Sequence, residues 1–127
     1  MLEYGQIAHM SEAEILATHT PTLFDDAVER AAAMLRSGEL VALPTETVYG
    51  LAANALESEP VEKIFAAKGR PERNPIIVHV EGISMARECV AVWPDAAAQL
   101  AKAFWPGPLT LVLPKADCIP AVVTAGG

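Results

Sequence analysis

Two stretches of this chain gather side chains able to do chemistry. In Pro44-Thr45-Glu46-Thr47-Val48-Tyr49-Gly50-Leu51, two hydroxyls, a carboxylate and a phenol fall within five residues, directly after the apolar run from Glu39 to Leu43. Polar groups gathered at a strand exit are a common way for open α/β sheets to build ligand sites, although a plain turn accounts for one or two of them. In Lys68-Gly69-Arg70-Pro71-Glu72-Arg73-Asn74-Pro75, a lysine, a flexible glycine and an arginine braced by proline form a candidate phosphate clamp. Arginine offers a planar fork for phosphate oxygens and lysine a compact charge. Lys68 could equally complement the C-terminus of a helix, which would leave Arg70 and Asn74 unexplained. His79 stands within the β-branched run Ile76 to Val80, where a histidine is either a satisfied structural group or one turned toward Thr47 and Arg70.

Other chemistries are excluded by their missing signatures. The chain has no G-x-x-x-x-G-K-S/T loop, no G-x-G-x-x-G, no H-E-x-x-H, no C-x-x-C and no G-x-S-x-G. Cys89 and Cys118 lie far apart in no metal-like spacing and read as reduced thiols of a cytoplasmic protein. Nothing in their spacing supports a Cys89–His79 nucleophilic pair. The net charge of −7 argues against a broadly basic nucleic-acid-binding surface. Within that acidic background, four of the nine basic residues (Lys63, Lys68, Arg70 and Arg73) fall inside eleven positions, as a small-anion site or a solvated helix end would require. No apolar stretch is long enough to span a bilayer, and the first residues lack the pattern of a secretory signal.

The positioning elements read as alternating helices and strands. Residues 1–21 show little periodicity and are expected to be a loosely ordered lead-in, with at most a helical turn near Ser11 to Leu16. Residues 22–127 form the domain, which at this length and 52% hydrophobic content can bury a core. A helix is predicted from Thr22, with Thr22 as cap, Asp25 and Asp26 in its first turn, and Phe24, Ala27 or Val28, Ala31 and Leu35 on one face, ending near Gly38. Strands are predicted at 39–43, 51–55, 76–80 and 109–113. A second helix starts at Ser58 and stops at Gly69, with Val61, Ile64 and Phe65 inward. Glu81 to Val92 is a further helix candidate. Asp95 caps another that ends at Phe104, offering Ala96, Leu100, Ala103 and Phe104 to the core. Trp105-Pro106-Gly107-Pro108 is a rigid turn. Such alternation indicates a layered α/β domain.

Taken together, Pro44 to Leu51, Lys68-Gly69-Arg70-Pro71, Asn74-Pro75, Val78-His79-Val80 and Trp105-Pro106-Gly107-Pro108-Leu109-Thr110 resemble the Sua5/YrdC (YciO) family over about Phe24 to Gly127. The resemblance implies a YrdC-like α/β fold, a twisted mixed sheet with flanking helices and a large concave cavity. It implies a threonylcarbamoyl-AMP synthase, a nucleotidyltransferase that forms threonylcarbamoyl-AMP from L-threonine, bicarbonate and ATP with Mg2+ assisting. The product would pass to the machinery that makes N6-threonylcarbamoyladenosine in tRNA. By the same resemblance Thr47 and His79 match threonine-contacting positions, and Lys68, Arg70, Asn74 and Thr124 match positions on the nucleotide, with Lys68 and Arg70 acting catalytically. Family members continue with an Arg-containing strand and a Ser-x-Asn segment that do not occur here, so the chain is expected to be truncated. Two other readings carry the same motifs: a non-catalytic module contacting tRNA or double-stranded RNA, and the YrdC-like domain of a hydrogenase-maturation carbamoyltransferase.

Overall fold

The computed structural model describes residues 13–69 and 74–127. In chain order the elements are α1 (Pro21–Arg36), β1 (Val41–Leu43), β2 (Gly50–Ala52), α2 (Ser58–Lys68), α3 (Ile83–Glu88) and α4 (Asp95–Phe104). The first helix begins one residue before the sequence reading placed it. Pro21 occupies the first turn, where its missing N–H costs nothing, and the cap is Thr20, whose Oγ1 accepts the Leu23 N–H at 3.2 Å. Asp25 and Asp26 therefore fall beyond the first turn. The expected helical turn near Ser11 to Leu16 is not found at 13–16, and Ser11 lies outside the described residues.

Gly38, in the left-handed region at φ 82, ends α1 and turns the chain into β1. The turn is locked from the side. A Cβ on Gly38 would meet Pro60 Cγ at 3.5 Å, and Lys63 Nζ donates to the Gly38 carbonyl at 2.9 Å. β1 pairs antiparallel with β2, Leu43 opposite Gly50 and Val41 opposite Ala52, so the hairpin closes a loop over 44–49. Pro44 has no N–H to offer a ladder, and β1 stops before it.

The predicted strands at 76–80 and 109–113 keep the side-chain period but not the pairing. Ile76, Val78 and Val80 are half-buried while Ile77 and His79 are exposed, and Leu109, Leu111 and Leu113 alternate with Thr110 and Val112 in the same way. A strand also needs a run of ladder bonds. Here the Ile76 N–H donates to the Val123 carbonyl at 2.8 Å, and past 113 the chain makes a single bridge, Val90 to Lys115. The sheet among the described residues is thus the two-stranded hairpin.

The core is small and specific. Val61 and Phe65 of α2 meet Ile119 and Val123 of the C-terminal turn, with Ile76, Val78, Cys89 and Val122 packed around them. α2 follows the sequence reading, with Val61, Ile64 and Phe65 inside and Gly69 as a left-handed stop at φ 57. α4 does not. It buries Ala97 and Ala101, leaves Leu100 and Phe104 exposed, and is preceded by Pro94 rather than capped by the Asp95 side chain. After α4, a Cβ on Gly107 would stand 2.5 Å from the Phe104 carbonyl oxygen, so only glycine fits that turn.

Candidate functional site

The loop between β1 and β2 carries Thr47 at an exposed position, and one hydroxyl organises it. Thr45 Oγ1 accepts the N–H groups of Thr47 and Val48, each at 3.2 Å, and donates to the Val48 carbonyl. The Thr47 hydroxyl oxygen lies 3.3 Å from it. This is a side-chain-built turn of the kind serine and threonine favour outside regular structure. Gly50 has no left-handed φ and serves as the first residue of β2, where a Cβ would meet the Thr45 methyl carbon at 3.4 Å.

The second group issues from three segments that meet at the core. Lys68, exposed, is the last residue of α2, one turn beyond buried Phe65. Asn74, exposed, stands two residues before Ile76, which is tied to Val123. Thr124 follows Val123, is half-buried, and donates its hydroxyl proton to the Ala121 carbonyl at 3.3 Å, which leaves its oxygen lone pairs for another donor. One core therefore anchors the segments that bear Lys68, Asn74 and Thr124. Arg70 lies outside the described residues, as do Pro71 and Arg73.

His79 is exposed and alternates with the inward Ile76 and Val78, so it is not a buried structural histidine. The hydrogen bonds of Thr47 stay within its own hairpin, and none among the described residues joins that loop to the His79 segment. Lys63, counted by sequence among the clustered cations, has a different occupation. Besides its bond to Gly38 it lies 3.8 Å from Glu59 and 4.0 Å from Glu39. Arg30 is likewise engaged, in a two-pronged pair with Glu14 at 2.6 Å that holds the glutamate below the usual carboxylate range and raises the arginine further.

Burial pushes the Cys89 thiol up, with Cys118 and Glu88 adding to the effect, so Cys89 is kept protonated and poorly suited to nucleophilic attack. The Cys118 thiol donates to the Glu88 carbonyl at 3.4 Å, and both cysteines are free. Two open grooves, about 430 and 350 Å³, are lined by residues of the α1 flank such as Leu16 and Arg30, and by Glu81 to Met85. Neither is lined by Thr47, Lys68, Asn74, His79 or Thr124. No helix among them is long and apolar enough to cross a membrane.

Comparison with known proteins gives the site a context. The Sua5/YciO/YrdC sequence family, described as "Telomere recombination", matches residues 33–127. The chain is 54% identical over 96 residues to a threonylcarbamoyl-AMP synthase of Pyrococcus abyssi, covering 76% of this chain and 28% of that one. It is 52% identical over 103 residues to a threonylcarbamoyl-AMP synthase of Bacillus subtilis, covering 80% and 30%. Among solved structures, P. abyssi Sua5 complexed with L-threonine superposes with a TM-score of 0.75 at 52% identity, over 78% of this chain and 29% of that one. The chain thus spans under a third of the length of these relatives, and the superposition establishes its α/β, YrdC-like fold class.

Proposed function

The chain belongs to the Sua5/YciO/YrdC family, and on that premise we propose that it carries threonine- and triphosphate-contacting segments of a threonylcarbamoyl-AMP synthase. The observation that carries this reading is the 52% identity, at a TM-score of 0.75, to a Sua5 complexed with L-threonine. The exposure of Thr47, His79, Lys68 and Asn74 supports it, because side chains kept out of the core are available to ligands.

In the proposed reaction the amine of L-threonine and bicarbonate give a carbamate with loss of water. A carbamate oxygen then attacks the α-phosphorus of ATP, the bond to the bridging oxygen breaks, and pyrophosphate leaves. No protein nucleophile is required, in keeping with the protonated Cys89. The task is to hold two anions against their repulsion, so fixed cations and oriented donors dominate. Lys68 and Arg70 neutralise charge at the α-phosphorus and on the leaving pyrophosphate. Asn74 and Thr124 hydrogen-bond the nucleotide, while Thr47 and His79 orient threonine. Mg2+, when bound, lowers the charge of the triphosphate. It would accompany the ATP, and no residue of this chain is assigned to hold it. The product is a reactive mixed anhydride, and we assign its consumption to the tRNA threonylcarbamoyl-transfer machinery.

Pyrophosphate release from ATP tests this function. Omitting threonine or bicarbonate should return the rate to background. Release that persists unchanged without threonine overturns the reading.

A further inference from the structure

The two threonines of the β1–β2 loop hold unequal positions. A hydroxyl has one proton and two lone pairs. Those of Thr45 are fully used: its proton goes to the Val48 carbonyl, and its lone pairs receive the Thr47 and Val48 N–H groups. Its methyl is also confined, 3.4 Å from where a Cβ on Gly50 would stand. Thr45 has nothing left for a substrate. Thr47 is different, because its backbone N–H is committed to Thr45 while its hydroxyl meets only the saturated Thr45 oxygen, at 3.3 Å.

The rest of the loop supplies no alternative support. Glu46, Thr47, Val48 and Tyr49 are all exposed, Val48 at 73% and Tyr49 at 76%, so no buried apolar contact holds the loop in shape. What orders it is the closing pair Leu43–Gly50 and the Thr45 hydroxyl. We propose that Thr45 is a positioning residue, which fixes the backbone of Thr47 and so aims the Thr47 hydroxyl at the amino-acid substrate without touching that substrate itself. The inference rests on the reading of Thr47 as a threonine contact.

Thr45→Val keeps the branched shape and removes the hydroxyl; Thr45→Ser keeps the hydroxyl and removes the methyl. Thr47→Val removes the Thr47 hydroxyl and leaves that of Thr45 in place. L-threonine and ATP affinities are measured by calorimetry for each variant, and exchange of the Thr47 and Val48 amide hydrogens by NMR. Thr45→Val should weaken threonine binding roughly five- to tenfold, the scale of one net hydrogen bond or slightly more, and leave ATP binding unchanged. It should also lose protection at both amides, and Thr45→Ser should restore affinity and protection together. Thr47→Val should weaken threonine binding while keeping its amides protected. A Thr45→Val protein with unchanged threonine affinity, beside a weakened Thr47→Val, overturns the positioning role alone. Unchanged affinity in Thr47→Val overturns the threonine contact and the inference with it. Equal losses for threonine and ATP in Thr45→Val mark a general collapse and also overturn it.

Discussion

Phe65→Ala probes the link between the core and the segments proposed to bind the nucleotide. Phe65 is 3% exposed and contributes the one aromatic ring to the cluster formed with Val61, Ile119 and Val123. A buried phenylalanine removes roughly 150–250 Å² from water, an upper limit of about 4–6 kcal/mol at about 25 cal/mol per Å². Measured truncations of this kind cost about 3–5 kcal/mol, depending on how far the site collapses. The cluster has four buried members with partly exposed neighbours, so it can relax, and the lower end, about 3 kcal/mol, is expected. Phe65→Leu retains most of the volume and should cost under about 1.5 kcal/mol. Urea unfolding followed by the fluorescence of Trp93 and Trp105 separates the two. Because the same cluster anchors the segments bearing Lys68, Asn74 and Thr124, Phe65→Ala should also weaken ATP binding although Phe65 lies in the core. A loss below about 1 kcal/mol, equal to that of Phe65→Leu, would refute the reasoning.

Lys68→Ala, at an exposed helix end, should leave thermal stability nearly unchanged and lower threonine-dependent pyrophosphate release about ten- to a hundredfold, the value of roughly 1.5–3 kcal/mol for a charge-assisted contact; an unchanged rate would remove Lys68 from the clamp. Gly107→Ala places a methyl 2.5 Å from the Phe104 carbonyl oxygen and should destabilise the protein by about 1–3 kcal/mol in the same urea assay. Gly69→Ala meets no atom within 4 Å but must hold φ 57, so it should cost less, about 1–2 kcal/mol, from backbone strain alone. Burial raises the Cys89 thiol, so the folded protein binds this proton more tightly than the unfolded chain does. The stability this contributes is complete below the unfolded thiol value and is lost as pH rises through the folded one. Cys89→Ala should therefore flatten the decline in stability on the alkaline side, read by urea unfolding across that range.

What sequence could and could not reveal follows from how local each cause is. The end of β1 at Pro44, the left-handed stop at Gly69 and the inward face of α2 depend on residues within a turn of one another, and all three are found as expected. α4 shows the opposite case. Which side of its apolar residues goes inward is decided by the surface it meets, which takes Ala97 and Ala101 rather than the larger Leu100 and Phe104. Period-two burial at 76–80 and 109–113 was legible, whereas ladder bonds depend on distant segments and were not. At the site, clustering of charge counted Lys63 with Lys68, but a long side chain can reach a carbonyl 25 positions away in sequence, and Lys63 is held at Gly38. That a turn would account for one or two of the polar residues after β1 was legible from residue type, since threonine hydroxyls favour such turns. The saturation of Thr45, which separates it from Thr47, is visible only in the geometry.

The central claim is a division of ligands: threonine at Thr47 and His79, the nucleotide at Lys68, Arg70, Asn74 and Thr124. Backbone amide NMR during separate titrations with L-threonine and with ATP and Mg2+ tests it most directly. The account predicts that threonine shifts the amides of residues 45–50 and 78–80, and that ATP shifts those of 68–70, 74 and 123–125. Titrations in which each ligand moves the other's set, or in which threonine leaves residues 45–50 unmoved, would contradict it.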